Sequence, residues 1–429
     1  MFTMFGVEQF FQTRSAIFLD RSQLVNLGVG LVAGLAVAQW LGKNLKKFKF
    51  DKIQVVCIIL ILFSQLSQIW AIAPEAFARY YSRGPLPYYV LYFLIAPILT
   101  SDKDGVRDGV RTTLYIGVPL MFLIVFFVEW GGRGILLARP VMESGRLRSF
   151  TPPLALASLA SHVAITCVVL KPKQFISKAI HLAGFAAASY VVYRTQSRGQ
   201  LIALAAVVLI FYPIANQASR SKELIVTMFG FAILGITLFI VFSALDLGTV
   251  NRWNEDSIRR GAEGRFEMVT RLLTQWSESG SLYIFFGLGS AAGWATSGFA
   301  VHNFPAEMLG ELGLVGFSIY LYITSTTLRN SYRIIRKLQH YPDMRREAVV
   351  LIAMYIFTNL LSLKSISLFS SAPLMFYFAI TISQIERQSR RLPAEPFDWR
   401  RLIFVPETAD GHSPFGGPQY VPSQRPVRR

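Results

Sequence analysis

Residues 302–316 read HNFPAEMLGELGLVG, which places one histidine, two carboxylates and three glycines at the start of an otherwise apolar segment. Long apolar runs recur along most of the remaining chain. Ionisable groups at membrane depth are costly and usually mark function. His302, Glu307 and Glu311 are therefore the first candidates for chemistry, and Asn303 is placed to cap the helix that follows.

The composition predicts a membrane protein. Of 429 residues, 53% are hydrophobic and only 16% are charged, whereas soluble domains carry about 25% charged residues. Many apolar runs are long enough to cross a bilayer as helices. We therefore predict an all-α, polytopic membrane protein.

Eleven segments are candidate spans, with a short, weakly apolar segment before Asp20 as an interfacial helix or a twelfth span. They are approximately 24–42, 53–73, 86–100, 112–129, 152–170, 179–193, 200–215, 224–245, 304–328, 348–364 and 366–385.

The basic residues predict an orientation. With loop 43–52 in the cytoplasm, 27 of the 43 lysines and arginines lie on the inner side and 16 on the outer side. Cytoplasmic loops of membrane proteins carry such an excess. The net charge of +18 lies in short loops between spans, so it argues for membrane orientation and against nucleic-acid binding.

The type of basic residue also differs between the two sides of the membrane. The outer side carries fifteen arginines and a single lysine, Lys364, whereas the inner side carries eleven lysines. Arginine stays charged when partly buried and offers a planar fork that suits phosphate. The outer face is predicted to bind anions; the alternative is a general abundance of arginine in the chain.

The chain divides into transmembrane helices over 1–245, a large outer loop over 246–303, further transmembrane helices over 304–385 and a disordered cytoplasmic tail over 386–429. The loop is predicted to contain short helices that form a lid. Its best pattern is an amphipathic helix over 263–276 with one apolar face, formed by Phe266, Val269, Leu272, Leu273 and Trp276.

Two arginines stand at predicted helix starts on the outer side. Arg198 precedes the span 200–215, and Arg265 begins the amphipathic helix. Free N–H groups at a helix start favour an anion, so both are candidates for diphosphate binding, with Arg139 as a weaker supporting candidate. The alternative is arginines that reach up to lipid headgroups.

His302 is a candidate for proton transfer, because a histidine near water can titrate close to neutral pH. The alternative is an interfacial histidine that bonds a loop carbonyl. Glu307 and Glu311 share a helix face, and we expect the outer arginines to be their partners. The five histidines are scattered and indicate no metal site. The glycine-rich stretch 287–293 lacks the lysine of a nucleotide-binding loop and is interpreted as a turn.

Taken together, these motifs resemble the O-antigen ligase and polymerase family of bacterial envelope glycosyltransferases. The family pattern of His-Asn, nine residues, Gly, two residues, Gly matches His302-Asn303, Gly313 and Gly316. Ser197-Arg198-Gly199 and Gly264-Arg265 precede it in the family's order, the latter followed by Gly287-Leu288-Gly289. The resemblance covers about 195–325, and the family usually has about twelve spans.

The resemblance implies a metal-independent enzyme of the bacterial inner membrane, without a cofactor, whose active site faces the periplasm. The donor would be a glycan on undecaprenyl diphosphate, and the acceptor lipid A–core in a ligase, a lipid-linked repeat unit in a polymerase, or a protein hydroxyl. Arg198 and Arg265 would bind the diphosphate, and His302 would be the catalytic residue that activates or positions the acceptor hydroxyl. Asn303, Glu307, Glu311 and Arg139 would support them.

A transporter or flippase for lipid-linked sugars is the rival from another class. It would also need outer arginines, but it should show internal repeats with broken helices in matched positions. The sequence shows no such repeat.

Overall fold

A computed structural model of the chain describes residues 2–15, 23–44, 50–81, 89–101, 103–131, 134–143, 146–170, 172, 174–216, 255–298, 301–364 and 372–392. These residues are mostly helical. Within the described residues, five helical stretches are long and apolar enough to cross a membrane: Lys52–Trp70, Asp104–Phe127, Phe175–Arg194, Arg198–Asn216 and Phe304–His340. The chain is therefore a helical membrane protein, as its composition predicts.

The helices are α1 (Phe2–Arg14), α2 (Gln23–Asn44), α3 (Lys52–Leu66), α4 (Pro74–Tyr81), α5 (Ala96–Leu99), α6 (Lys103–Phe127), α7 (Pro153–Val169), α8 (Phe175–Arg194), α9 (Arg198–Asn216), α10 (Glu255–Glu278), α11 (Ser281–Phe286), α12 (Ala292–Ser297), α13 (Phe304–Lys337), α14 (Pro342–Ser362) and α15 (Ala372–Ser389). Short 3₁₀ turns follow α3 and α13, and a π-helical turn, Leu91–Ile95, precedes α5.

Most predicted spans coincide with a described helix. For the predicted span 86–100, residues 89–99 are continuously helical and include the π-helical turn and α5, whereas residues 86–88 lie outside the described part of the chain. The predicted span 224–245 and the part of the predicted tail beyond Leu392 lie outside the described residues. The first residues of the predicted disordered tail, 386–389, instead form the last turn of α15, where Glu386 and Ser389 are buried.

Helix α7 lies in the middle of the helix packing. It contacts α6, α8, α9 and α14, and most of its side chains, including that of Leu156, are fully buried. A helix that is apolar on all sides is typical of such a position. Between helices in lipid, small residues permit the close approach that stabilises packing. Gly184 of α8 does so here, since a Cβ on it would come within 2.8 Å of Val118.

A three-stranded antiparallel sheet follows α6 and was not anticipated from the sequence. It comprises β1 (Trp130–Gly131), β2 (Gly134–Glu143) and β3 (Arg146–Phe150), in the order β1-β2-β3. The register shifts between Leu136 and Val141. Pro140 lies inside β2, and a proline normally argues against a strand. Here Pro140 falls between Leu136 and Val141, where the register shifts, so its missing N–H costs no hydrogen bond between the strands.

Helix ends that the charge pattern assigns to one side of the membrane meet in the structure. At one end, the side-chain amide of Gln388 donates to the carbonyl of Ser101 at 2.6 Å, and Arg333 pairs with Glu386 at 4.0 Å. At the other end, the side-chain amide of Gln200 donates to the carbonyl of Leu154 at 2.9 Å. We call this second end the site end.

The described part of the long loop forms a small unit at the site end. Its buried centre is formed by Leu272, Leu288, Ala292 and Val301. Val269 and Trp276 pack against this centre, as the amphipathic pattern predicts. Phe266, which the same pattern placed on the buried face, is 74% exposed; Met268 occupies the inner position instead. We call α10, α11 and α12, with their connecting turns, the lid.

The lid docks on a break in α13. Gly313 has φ +64° and ψ −166°, a combination that only glycine adopts readily. At this break the carbonyls of Gly310 and Glu311 accept hydrogen bonds from the N–H groups of Leu288 and Gly289, both at 2.9 Å. A Cβ on Gly313 would overlap the backbone of Phe285 and Gly287. Gly313 therefore bends the helix and admits the lid.

Gly313→Ala should loosen the lid. The substitution adds backbone strain and overlap with the lid backbone, which together should cost at least about 2 kcal/mol. Trypsin should therefore cleave at the exposed Arg271 of α10 several times faster than in the parent protein. Gly109→Ala is the control, because a Cβ there meets no atom within 4 Å. Equal cleavage rates in all three proteins would contradict the docking role of Gly313.

The topology can be tested by cysteine labelling, since both native cysteines are buried. Ser277 in α10 and Gln339 after α13 are exposed and lie on opposite sides in the charge assignment. A membrane-impermeant maleimide should label Ser277→Cys in intact cells, but Gln339→Cys only after the membrane is permeabilised. Labelling of Gln339→Cys in intact cells would contradict the assigned orientation.

Candidate anion-binding site

Arg198 is the first residue of α9 and follows a tightly held turn. Thr195, Gln196 and Ser197 are buried, and Gln196 has φ +52°. A positive φ is uncommon for a residue other than glycine and is found disproportionately at functional sites. The turn fixes Arg198 at the start of a 19-residue helix, where N–H groups favour an anion.

Arg265 lies beside Arg198 although the two residues are on different helices. The Nη2 atom of Arg198 is 3.8 Å from the position that a Cβ on Gly261 would occupy. Gly261 precedes Arg265 by about one turn of α10. Partial burial of Arg265 and, to a smaller extent, the nearby charge of Arg198 lower the pKa of the Arg265 guanidinium. Arginine remains protonated despite such a shift, so two positive charges are held together.

His302 approaches the same place from the segment before α13. Its backbone is left-handed, with φ +57°, and its side chain remains accessible to solvent. Partial burial of His302 and, to a smaller extent, the nearby charge of Arg265 lower the pKa of His302 below its ordinary value of 6.5. The imidazole is therefore neutral at pH 7 and able to accept a proton.

Asn303 fixes the position of His302 through two hydrogen bonds. Its Oδ1 accepts from the N–H of Ala306 at 3.1 Å, which caps α13. Its Nδ2 donates to the carbonyl of Leu363, just after α14, at 3.2 Å. The next residue, Lys364, packs its side chain against Gly199 in the first turn of α9. The site therefore joins four segments that are distant in sequence.

Glu307 and Glu311 are buried in α13, at 3% and 4% exposed. The expectation that an arginine would be the partner is wrong for Glu311, whose carboxylate accepts from the N–H groups of Ala291 at 2.9 Å and Gly293 at 3.0 Å. These bonds hold the turn before α12 against α13. Glu311 therefore positions the lid, and the carboxylate of Glu307 lies in the first turn of α13, where negative charge is favourable.

The glycine-rich stretch 287–293 forms the turn between α11 and α12, as interpreted from the sequence. Every one of its N–H groups is bonded to a protein acceptor. Ser290, for instance, donates its N–H to the Ser67 hydroxyl at 2.9 Å. A phosphate-binding loop must offer free N–H groups, so this stretch anchors the lid and does not serve as a phosphate cradle.

Arg139, the remaining predicted residue, lies in β2, and its side chain is outside the described part of the structure. Among the described residues, no group of three histidine, cysteine, aspartate or glutamate side chains could hold a metal ion.

Two open grooves run along α10, and Arg265 lines one of them. The first encloses about 450 Å³ and includes Arg265 and Ser297 in its lining. The second encloses about 620 Å³ and is lined by carboxylates, hydroxyls and the ring of Phe266. Both grooves border Glu267 and Arg271. The sequence did not indicate these grooves, because they depend on how α12 packs against α10.

The chain matches none of the protein-family models with which it was compared, and no curated protein matches it significantly.

The low pKa of His302 predicts how stability depends on pH. The unfolded chain takes up a proton near pH 6.5, whereas the folded protein resists protonation until lower pH. The contribution of His302 to stability is therefore complete above pH 6.5 and falls as the pH is lowered through that value. His302→Asn should lose less stability than the parent protein between pH 7.5 and pH 5.5, since asparagine tolerates the left-handed backbone. Parallel unfolding curves for the two proteins would contradict this prediction.

Proposed function

We propose that this protein is a membrane glycosyltransferase similar to the O-antigen ligases. It would transfer a glycan from undecaprenyl diphosphate to an acceptor hydroxyl on the periplasmic face of the bacterial inner membrane. The observation that carries the proposal is the meeting of Arg198, Arg265 and His302, which come from three separate segments, at one accessible place.

The two arginines suit a diphosphate leaving group. Breaking the bond between the sugar and the diphosphate leaves negative charge on the phosphate oxygens, and preorganised cations stabilise that charge. A guanidinium provides a permanent charge and two parallel donors for phosphate. The pair Arg198 and Arg265 therefore supplies the required stabilisation from the protein itself.

His302 suits the acceptor side of the reaction. In the proposed step, the acceptor oxygen bonds to the anomeric carbon while the bond from that carbon to the diphosphate oxygen breaks. The diphosphate leaves with the electron pair, and the hydroxyl proton passes to His302. The lowered pKa keeps the imidazole neutral beforehand, and such assistance contributes about 10²- to 10⁴-fold.

The grooves along α10 offer room for a glycan. Carbohydrates present hydroxyl groups that pair with carboxylates, hydroxyls and amides, and the second groove contains Glu263, Thr274 and Gln275. The first groove is lined by Arg265 itself, so a glycan lying there would reach the diphosphate-binding arginines.

The proposal can be tested in a strain that lacks this protein, complemented with single variants. Arg198→Ala and Arg265→Ala should each reduce glycan transfer by about tenfold or more, the effect of losing a charge-assisted bond of about 1.5–3 kcal/mol. Lysine at either position should restore little, because it lacks the planar fork. His302→Asn should abolish detectable transfer while the protein remains folded.

Arg329→Ala is the matched control, since Arg329 is an exposed arginine elsewhere on α13. Accumulation of lipid-linked polymer with unmodified lipid A–core identifies a ligase, whereas core that carries a single repeat unit identifies a polymerase. Normal transfer by purified His302→Asn with a defined donor and acceptor would remove the histidine from the mechanism. A strain in which undecaprenyl-linked glycan fails to reach the periplasm would favour a flippase.

A further inference from the structure

Lys364 is a third cation beside Arg198 and Arg265 at the site end, and its position depends on a glycine. Its side chain lies along the first turn of α9, where a Cβ on Gly199 would overlap the ammonium and come within 2.5 Å of Cδ and 3.0 Å of Cε. The absence of a side chain at 199 therefore makes room for Lys364. Its backbone is fixed as well, because Leu363 accepts the hydrogen bond from Asn303.

Three further features make this first turn suitable for an anion. Arg198 precedes Gly199 and points its guanidinium towards α10, on which Arg265 lies. The N–H groups of a helix start favour negative charge. Ser197, 6% exposed, has a side-chain hydroxyl that makes no hydrogen bond within the described part of the chain, so it can bond a ligand at the cost of no existing contact.

Like charges gathered at one place repel one another, and a bound anion removes that repulsion. A diphosphate carries more negative charge than a phosphate monoester, spread over two groups, so it gains more from a further cation beside the two arginines. The Lys364 side chain lies at the start of α9, next to Arg198.

We propose that Lys364 is a diphosphate-binding residue, whose ammonium, lying over Gly199, joins Arg198 and Arg265 in distinguishing a lipid diphosphate from a lipid monophosphate. This inference rests on the proposed function and deepens it. It also assigns Gly199 the role of admitting the lysine side chain.

The test is a binding measurement on the full chain in phosphatidylcholine nanodiscs, with undecaprenyl diphosphate and undecaprenyl phosphate as probes. Lys364→Ala should weaken diphosphate binding by about tenfold or more and change monophosphate binding much less. Lys178→Ala, which removes an exposed lysine on α8, should leave both affinities unchanged.

Gly199→Ala tests the placement independently. The added methyl group meets the end of a flexible side chain, so the protein should fold normally while the ammonium is displaced. The diphosphate affinity of Gly199→Ala should fall to that of Lys364→Ala, and the double variant should be no weaker than either single variant. Gly109→Ala is the matched control.

Each outcome has a distinct meaning. Unchanged diphosphate affinity in Lys364→Ala, with Arg198→Ala impaired, would overturn the role of Lys364 and leave the proposed function standing. Equal loss of both ligands would show that Lys364 only supports the fold, and fully additive losses in the double variant would overturn the placement over Gly199. Failure of the parent protein to bind either lipid would overturn the proposed function and this inference with it.

Discussion

The break in α13 at Gly313 is the constraint on which the site end depends. A regular helix uses its own carbonyls for internal hydrogen bonds, but here those of Gly310 and Glu311 accept bonds from the lid. The Glu311 carboxylate adds two more acceptors for the lid backbone. Because buried backbone groups must be paired, this set of bonds fixes the register between the lid and α13.

That docking brings the charges together. Arg265 belongs to the lid, whereas His302 immediately precedes the helix on which the lid rests. Leu272 of α10 packs where Gly310 of α13 lacks a side chain; a Cβ there would lie 2.6 Å from Leu272 Cγ. Gly310 thus makes room for α10, and Gly313 bends α13 so that the turn after α11 can dock against it. The arginines are therefore brought together at the site end by the packing of uncharged residues of the lid against α13.

The backbone around the site is also strained. Gln196, two residues before Arg198, and His302 itself both adopt left-handed backbone conformations. Strain of this kind persists only where the surrounding contacts impose it. The Asn303 side chain imposes it at one point by bonding both α13 and the residue before Lys364. Cations held in fixed positions in this way would stabilise a bound anion without rearrangement.

The sequence by itself determined the features that depend on local patterns. Length and apolar character predict membrane helices, because a single helix in lipid must satisfy its own backbone; α3, α6, α8, α9 and α13 are accordingly long and apolar enough to span. Local pattern also singled out Arg198, Arg265 and His302, since an ionisable residue at the start of a predicted helix is visible in the sequence around it.

Only the tertiary structure decided how these residues meet. The partner of Glu311 is backbone and not arginine, Phe266 faces outward, and the described residues 130–131, 134–143 and 146–150 form a sheet. Lys364 stood out in the sequence only as the single lysine assigned to the outer side, and nothing local connects it with Gly199, 165 positions earlier. Contacts between distant segments depend on glycines, which leave room, as much as on the side chains that fill it. Which glycine faces which side chain is decided only when the helices pack together.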